Sequence, residues 1–152
     1  MKNSIRHFLH LLGMLLALTS SACLALSPGE MLSQEEVSRL GQLPSYDIDA
    51  NRIRVIPPQH SGSEDTLLLN EQDVVGISQN EVVVSEAPDN VQAVIQQTLP
   101  QPVSITHFAP TGITLAKYAD FAQSVQAMRA LKAALPDARI GLAVQFGRPV
   151  PQ

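Results

Sequence analysis

The stretch EVVVSEAPDNVQAVIQQTLP, residues 81–100, decides the fold of the C-terminal half of the chain. Its first five residues, Glu81–Ser85, hold three consecutive valines, which predicts a strand. Asp89 is predicted to cap the helix that follows, and Pro100 to end it. The helix has one apolar face, formed by Val91, Val94, Ile95 and Leu99. The stretch therefore predicts a strand followed by a helix.

The residues after Pro100 predict two more strands, a second helix and a last strand. Residues 103–108 and 113–118 alternate in polarity around a Pro-Thr-Gly turn. Asp120 is predicted to cap a helix with Phe121, Val125, Met128, Leu131 and Leu135 on one stripe, and residues 140–146 form the last strand. The order β-α-β-β-α-β is the split βαβ, or ferredoxin-like, plan. We therefore predict an α+β fold, a four-stranded antiparallel sheet with both helices on one face.

The residues between 26 and 79 are less regular. Ser33 and Glu36 predict a capping box for one short helix, and Gly41 can close it. Residues 52–56 and 66–69 are strand-like but short, and loop signals separate them. We therefore divide the chain into an N-terminal extension at 26–79, a core at 80–146 and an extended tail at 147–152.

The first 25 residues have the pattern of a secretory signal peptide. Basic residues precede an apolar run at 8–18, which is too short to span a bilayer, and small residues follow at 19–25. We expect cleavage after Ala25. Cleavage after Ala22 would instead leave Cys23 first, as in a lipoprotein, although Ser20 does not fit that signal. The expected location is the periplasm, or outside the cell.

Export changes the charge and cysteine counts of the mature chain. Loss of Lys2 and Arg6 leaves eight basic residues against 14 acidic ones, a net charge of −6. Nucleic acid and anionic membranes are therefore poor partners. Cys23 is the only cysteine, so no disulfide is expected, and a core of about 70 residues without one is marginally stable.

Strand alternation predicts two different faces for the sheet. One face, with Val82, Val84, Val103, Ile105, Ile113, Leu115, Ile140, Leu142, Val144 and Phe146, is expected to meet the helices. The other face is small, uncharged and weakly polar, with Val83, Ser104, Thr106, Thr114, Ala116, Gly141 and Ala143. Two interpretations stay open: a docking surface for a partner, or a solvated face that uses threonine for its β-propensity.

The sequence offers no catalytic constellation, and we predict that the protein is not an enzyme. It has no Gly-rich phosphate loop and no nucleophile elbow. His60 lies in a loop-like stretch, and His107 is interpreted as a structural or rim histidine; two separated histidines do not predict a metal site. No cofactor is expected. The acidic pairs at 35–36, 47/49 and 64–65 are interpreted as solvated surface, whereas Glu71 with Asp73 fits an acidic lip equally well.

The chain from Asn80 to Phe146 resembles a known family. The segments that carry the resemblance are residues 74–84, 127–131 and 135–139, namely VVGISQNEVVV, AMRAL and LPDAR. They are similar to the external chaperones of secreted kexin-like, subtilisin-type serine proteases such as the one known as ASP, and more generally to subtilisin propeptides. The resemblance covers the C-terminal half well and the extension more loosely.

The resemblance implies a function. Such a chaperone is a separate chain that binds its protease as a 1:1 heterodimer, assists its folding and masks its active site. The sheet face would dock on the protease. The tail, formed by Gly147, Arg148, Pro149, Val150, Pro151 and Gln152, would lie in the active-site cleft as an added strand. Gln152 would then lie nearest the catalytic serine, although a kexin-like pocket favours a basic residue and Arg148 could compete for it. The alternative function is an exported, non-catalytic module of the cell envelope.

Overall fold

The structure is a computed structural model that describes residues 26–58 and 65–147. It is an α+β fold with a seven-stranded antiparallel sheet and three helices. In chain order the elements are α1 Gln34–Arg39, β1 Ser45–Ile48, β2 Asn51–Val55, β3 Thr66–Leu69, β4 Val75–Ser85, α2 Val91–Gln97, β5 Ser104–Phe108, β6 Ile113–Lys117, α3 Phe121–Ala134 and β7 Arg139–Gln145.

The long strand β4 organises the sheet. Ile77, in its first half, pairs with Leu67 of β3 and with Gln145 of β7. Val82, in its second half, pairs with Ala116 of β6 and with Leu142 of β7. Strands β3 and β6 therefore follow one another along one edge of β4, while β7 runs along the other edge. Beyond β3 lie β2 and then β1, and beyond β6 lies β5.

The prediction of only four strands in the sheet is wrong. β1, β2 and β3, which come from the predicted extension, belong to the same sheet, because β3 pairs with residues 75–78 of β4. These strands are four or five residues long and give little periodic signal of their own. The predicted boundary between residues 79 and 80 falls inside β4.

The main core lies between the sheet and the helices α2 and α3. Val82 and Val84 of β4 are buried there, together with Val91 and Ile95 of α2. The predicted stripe of α3 is confirmed, since Phe121, Val125, Met128 and Leu131 are all buried. Burial of alternate strand residues against one helix stripe is the expected arrangement for helices on one face of an antiparallel sheet.

The β1–β2 hairpin also packs on α3. The rings of Tyr46 and Phe121 meet edge to face, with centroids 5.7 Å apart. Arg129 donates a hydrogen bond from Nη2 to the Asp47 carbonyl oxygen at 3.0 Å, and Lys132 Nζ lies 2.6 Å from Asp49 Oδ1. Contacts therefore run along much of α3 and connect the N-terminal half with the main core.

A second, smaller core lies under α1. It contains Leu67, Leu69 and Val75 of the sheet, together with Leu32, Leu40 and Ile56. Leu68 lies between Leu67 and Leu69 and belongs to the main core, so β3 is buried on both faces. The helices α2 and α3 thus cover one face of the sheet, and α1 covers part of the opposite face.

The helix caps confirm two predictions and correct one. The capping box of Ser33 and Glu36 is present, and its hydrogen bonds lower the pKa of the Glu36 carboxyl. Asp120 caps α3 by accepting from the Gln123 amide at 2.8 Å. Asp89 does not cap α2: the cap position is Asn90, whose side chain makes no cap bond. The Pro88 carbonyl accepts from the Val91 amide at 3.0 Å.

Candidate protein-binding face

The face of the sheet turned away from α2 and α3 is defined by strand register. Val83 of β4 pairs with Leu115 of β6 and with Gly141 of β7, and Leu115 pairs in turn with Thr106 of β5. Directly paired residues point to the same side of a sheet, so these four residues share a face. We call it the open face.

Five of the seven predicted face residues lie on the open face. Val83, Thr106 and Gly141 are placed there by the pairs above, and Ser104 and Ala143 by alternation from Thr106 and Gly141. Ser104 and Thr106 are exposed, whereas the other three are half-buried.

The prediction that Thr114 and Ala116 belong to this face is wrong. They pair with Val84 and Val82, and both are 0 % exposed beneath the helices. Both alternating sets of β6 contain residues that a core accepts, and the larger size of Ile113 and Leu115 favours them as the buried set. The residue that shows which set is buried is Tyr118. It continues the alternation of Thr114 and Ala116 and is 1 % exposed. The helix-facing side of β6 is filled by small residues with one large residue at the end.

The open face is therefore more apolar than predicted. Leu115 and Ile113 replace Ala116 and Thr114, and Ile113 pairs with Phe108, which is 46 % exposed. Val103 was expected to meet the helices, but it lies just before β5 and is 70 % exposed; by alternation from Ser104 it does not share the open face. A run of apolar side chains thus extends along the β5–β6 hairpin toward its turn.

Among the positions assigned to the open face by register, charged residues flank the row formed by Thr106, Leu115, Val83 and Gly141. Glu81 and Lys117 pair directly across β4 and β6 at one end. Arg139, at the start of β7, pairs with Ser85 and forms an ion pair of 3.6 Å with Glu86. This row is therefore uncharged, and charged residues stand in the rows on either side of it.

A buried polar network fixes the middle of β4, where its register to β7 shifts between Ser78 and Val82. Asn80, in the left-handed region at φ 61°, accepts from Thr66 Oγ1 through Oδ1 at 2.8 Å and from the Tyr118 amide through its carbonyl at 3.0 Å. Ser78 Oγ donates to the Ala143 carbonyl at 3.1 Å. These hydrogen bonds connect β4 with β3, with β7 and with the residue that follows β6, and they stabilise the backbone at the register shift.

Two surface depressions lie near this register shift of β4. One, of about 440 Å³, is lined by Ile77, Gln79, Ala143, Val144 and Gln145 and continues the open face toward the end of β7. The other, of about 390 Å³, lies between β7 and the β1–β2 turn. The end of β7 is thus flanked by concave surface on both sides.

His107, Glu71 and Asp73 form hydrogen bonds or ion pairs within the chain. His107 Nδ1 lies 2.9 Å from Thr114 Oγ1 on the neighbouring strand. Asp73 is paired with Arg54 and accepts from Gln34 Nε2 at 2.9 Å, and Glu71 Oε1 accepts from the Arg52 amide at 3.0 Å. The predicted acidic lip of Glu71 and Asp73 is therefore occupied by bonds within the chain.

The exposed acidic pair of the β1–β2 turn, Asp47 and Asp49, forms ion pairs with Arg52 and Lys132. Within residues 26–58 and 65–147, no group of three or more His, Cys, Asp or Glu side chains is placed to hold a metal ion. Over the same residues, no helix is long and apolar enough to cross a membrane.

Several predicted features lie outside the described residues. They are the signal peptide at 1–25 with Cys23, the loop histidine His60 with Glu64, and the tail residues Arg148 to Gln152. Gly147 of the predicted tail is described; it is exposed and follows Phe146, which is half-buried.

Comparisons of this chain with models of protein families, with curated proteins and with solved structures found no match.

Proposed function

We propose that this protein is an external chaperone and inhibitor of a secreted subtilisin-type, kexin-like serine protease. The observation that carries the proposal is the order of neighbouring strands β7–β4–β6–β5, with α2 and α3 connecting them on one face. This order supports the split βαβ plan of subtilisin propeptides. Because that fold hosts many functions, the proposal also needs a binding surface and an inhibitory element.

The open face is the proposed docking surface. It combines small residues, Gly141, Ala143 and Ser104, with the apolar Leu115 and Phe108. Small residues let a partner's backbone come close, and the apolar residues contribute area removed from water. A chaperone that binds only the native-like protease shifts its folding equilibrium toward that state by mass action.

The C-terminal tail is the proposed inhibitory element. Residues 147–152 continue from β7, the last strand, in the sequence GRPVPQ. Two prolines lower the entropy that the tail loses when it is ordered in a cleft. An extended peptide binds a protease cleft by strand addition, so Gln152 would lie nearest the catalytic serine. A glutamine in a pocket that favours a basic residue suits an inhibitor that must be released.

The proposal places the protein outside the cell membrane as a non-catalytic partner of the protease. The expected complex is a 1:1 heterodimer, and neither nucleic acid nor a cofactor takes part. The decisive experiment is refolding of a denatured subtilisin-type protease with and without this protein. The recovered activity should rise with the protein present and stay at the unassisted level if it is only a structural module of the envelope.

Docking is tested by charges on the open face. Thr106→Arg and Ala143→Arg would each place an unpaired charge in the contact, which should cost several kcal/mol of binding. Gln96→Arg, on the exposed side of α2, is the matched control and should bind normally. Calorimetric titration against the protease measures the difference, and equal affinity for all three variants would exclude this face as the docking surface.

The tail is tested by its removal. The main-core residues described above all precede residue 148, so deletion of residues 148–152 should retain the circular dichroism spectrum and the melting temperature. The truncated protein should bind the protease more weakly, and the complex should hydrolyse a small peptide substrate. Gln152→Arg should slow release by filling a basic pocket. A truncated complex that stays fully inactive would show that the sheet domain itself blocks the cleft.

A further inference from the structure

A glycine in β4 and an aromatic ring after β7 are in unusually close contact. A β-carbon built on Gly76 would lie 2.4 Å from Cδ1 and 2.5 Å from Cε1 of Phe146, and 3.0 Å from the Gln145 carbonyl oxygen. No side chain fits there while the ring stays in place. Gly76 is not among the glycines with positive φ, so the close approach rather than the backbone conformation accounts for a glycine at this position.

Phe146 holds the chain where strand pairing has ended. The last pair between β7 and β4 is Gln145 with Ile77, so the backbone of Phe146 lies beyond the ladder. Its side chain packs against the main core and lines the depression of about 390 Å³, beside Leu142 and Val144. The ring of Phe146 is therefore the last apolar anchor before Gly147, which is exposed.

We infer that Phe146, seated on Gly76, is a positioning residue for the C-terminal tail. The ring fixes the position of Gly147, where the proposed tail begins, and six residues in extended form would span about 20 Å. A peptide tethered at a fixed point has a higher effective concentration at a nearby site than one tethered by a loose chain. This inference rests on the proposed function, because it assigns the anchor of the proposed inhibitory tail.

Two substitutions test the anchor from its two sides. Gly76→Ala displaces the ring without changing it, and Phe146→Ala removes it. Calorimetry should show that both variants still bind the protease through the open face. Each variant should raise the inhibition constant, measured by hydrolysis of a small peptide substrate, by about 10-fold or more. Phe146→Leu, which keeps an apolar side chain on Gly76, should recover most of the inhibition.

A double-mutant cycle separates positioning from a general loss of stability. If Gly76 acts through the ring, Gly76→Ala should have a much smaller effect in the Phe146→Ala background, because no ring remains to be displaced and only the contact with the Gln145 carbonyl oxygen is left. Inhibition is measured well below the melting temperature of each variant. Additive effects of the two substitutions on inhibition would overturn the inference, as would normal inhibition by Phe146→Ala. If Gly76→Ala does not fold, Phe146→Ala and Phe146→Leu decide alone.

A measurement on the free chain keeps this inference distinct from the proposed function. The backbone amide order parameter of Gly147, measured by NMR relaxation, should fall in both alanine variants, because the anchor beside it is lost. If the wild-type protein inhibits no subtilisin-type protease, the proposed function fails while this readout still tests the anchor. An unchanged order parameter in Phe146→Ala would overturn the anchor whatever the protease data show.

Discussion

The two halves of the molecule differ in how their elements are stabilised. In residues 75–147, α3 is 14 residues long and buries six side chains, and β4 has 11 residues. In residues 26–58 and 65–70, the strands have four or five residues, and the six-residue helix α1 contains no buried residue. A helix this short is not stable by itself in water.

The difference shows where the order of the N-terminal half comes from. Ile48 and Ile53 of the hairpin and Leu68 of β3 belong to the main core with the residues of α3. The N-terminal half is therefore ordered by contact with the C-terminal half, and in return it covers part of that core. We expect the two halves to unfold together rather than as separate units.

The strongest test of this coupling is Leu68→Ala, because Leu68 is fully buried in the main core. The substitution should lower the free energy of unfolding by about 2–5 kcal/mol. Denaturant titration followed by hydrogen exchange should show the loss in both halves. An unchanged stability of α3 would contradict the coupling and indicate two independent units.

Leu69→Ala tests the smaller core on the other face of β3. Leu69 is also fully buried, but its cluster contains only six buried residues and can relax more easily around a cavity. The expected cost is about 2 kcal/mol, at the lower end of the range for such substitutions. Amides of α1 should lose protection before those of α3; simultaneous loss in the two helices would mean that the small core is as tightly coupled as the main one.

The helix caps offer a smaller and matched comparison. Asp120→Ala and Ser33→Ala each remove a side-chain acceptor from a helix N-terminus, at a typical cost of about 1 kcal/mol. For Asp120 the cost should appear in the melting temperature, because α3 is part of the main core. For Ser33 it should appear mainly as faster local exchange in α1. Equal shifts in melting temperature would argue against this difference.

The ion pair of Lys132 and Asp49 should contribute less. Both side chains are more than one-third exposed, so Lys132→Ala should cost below about 1 kcal/mol, and the effect should shrink in 1 M salt. Thermal melts at two salt concentrations measure it. A large effect that does not depend on salt would point to packing of the lysine stem rather than to charge.

The smallest effect at neutral pH is expected for Tyr118→Phe. Among the described side chains, the Tyr118 hydroxyl is the only buried polar atom without a hydrogen-bond partner, so its removal should leave stability unchanged or slightly higher. Burial raises the pKa of Tyr118 to about 12 from its ordinary value of 10. Above pH 10 the unfolded chain therefore releases this proton more readily than the native one, and stability should fall as pH rises from 10 through 12. Tyr118→Phe should fall less steeply over that window, as measured by denaturant titration at each pH.

The accuracy of the sequence predictions followed the strength of the local signal. Ser33 and Asp120 were correctly predicted as caps, because a cap is specified by residues within one turn. The phase of β6 was predicted wrongly, because Thr114 and Ala116 give no strong hydrophobic contrast with Ile113 and Leu115. The contrast becomes clear only at Tyr118, the last residue of the predicted strand, which is buried on the side of Thr114 and Ala116.

The inclusion of β1–β3 in the sheet could not be predicted for a different reason. Their pairing joins neighbours in sequence, such as Leu69 with Val75, but the strands are short, and the four residues of β3 carry no alternation because both faces are buried. A run of three leucines fits a buried strand or a helix segment equally well. Five of the seven residues predicted for the open face lie on it, and the missing part was the apolar contribution of Leu115, Ile113 and Phe108.

The end-to-end placement of β3 and β6 on one edge of β4 restricts how this chain can change in length. Thr66 pairs with Ser78 and Lys117 with Glu81, so only Gln79 and Asn80 of β4 separate the two strand ends. An added residue at the start of β3 or at the end of β6 would run into the other strand. Insertions and deletions should therefore be tolerated at the far ends of these strands, such as the turn at Gly112, and excluded at their junction.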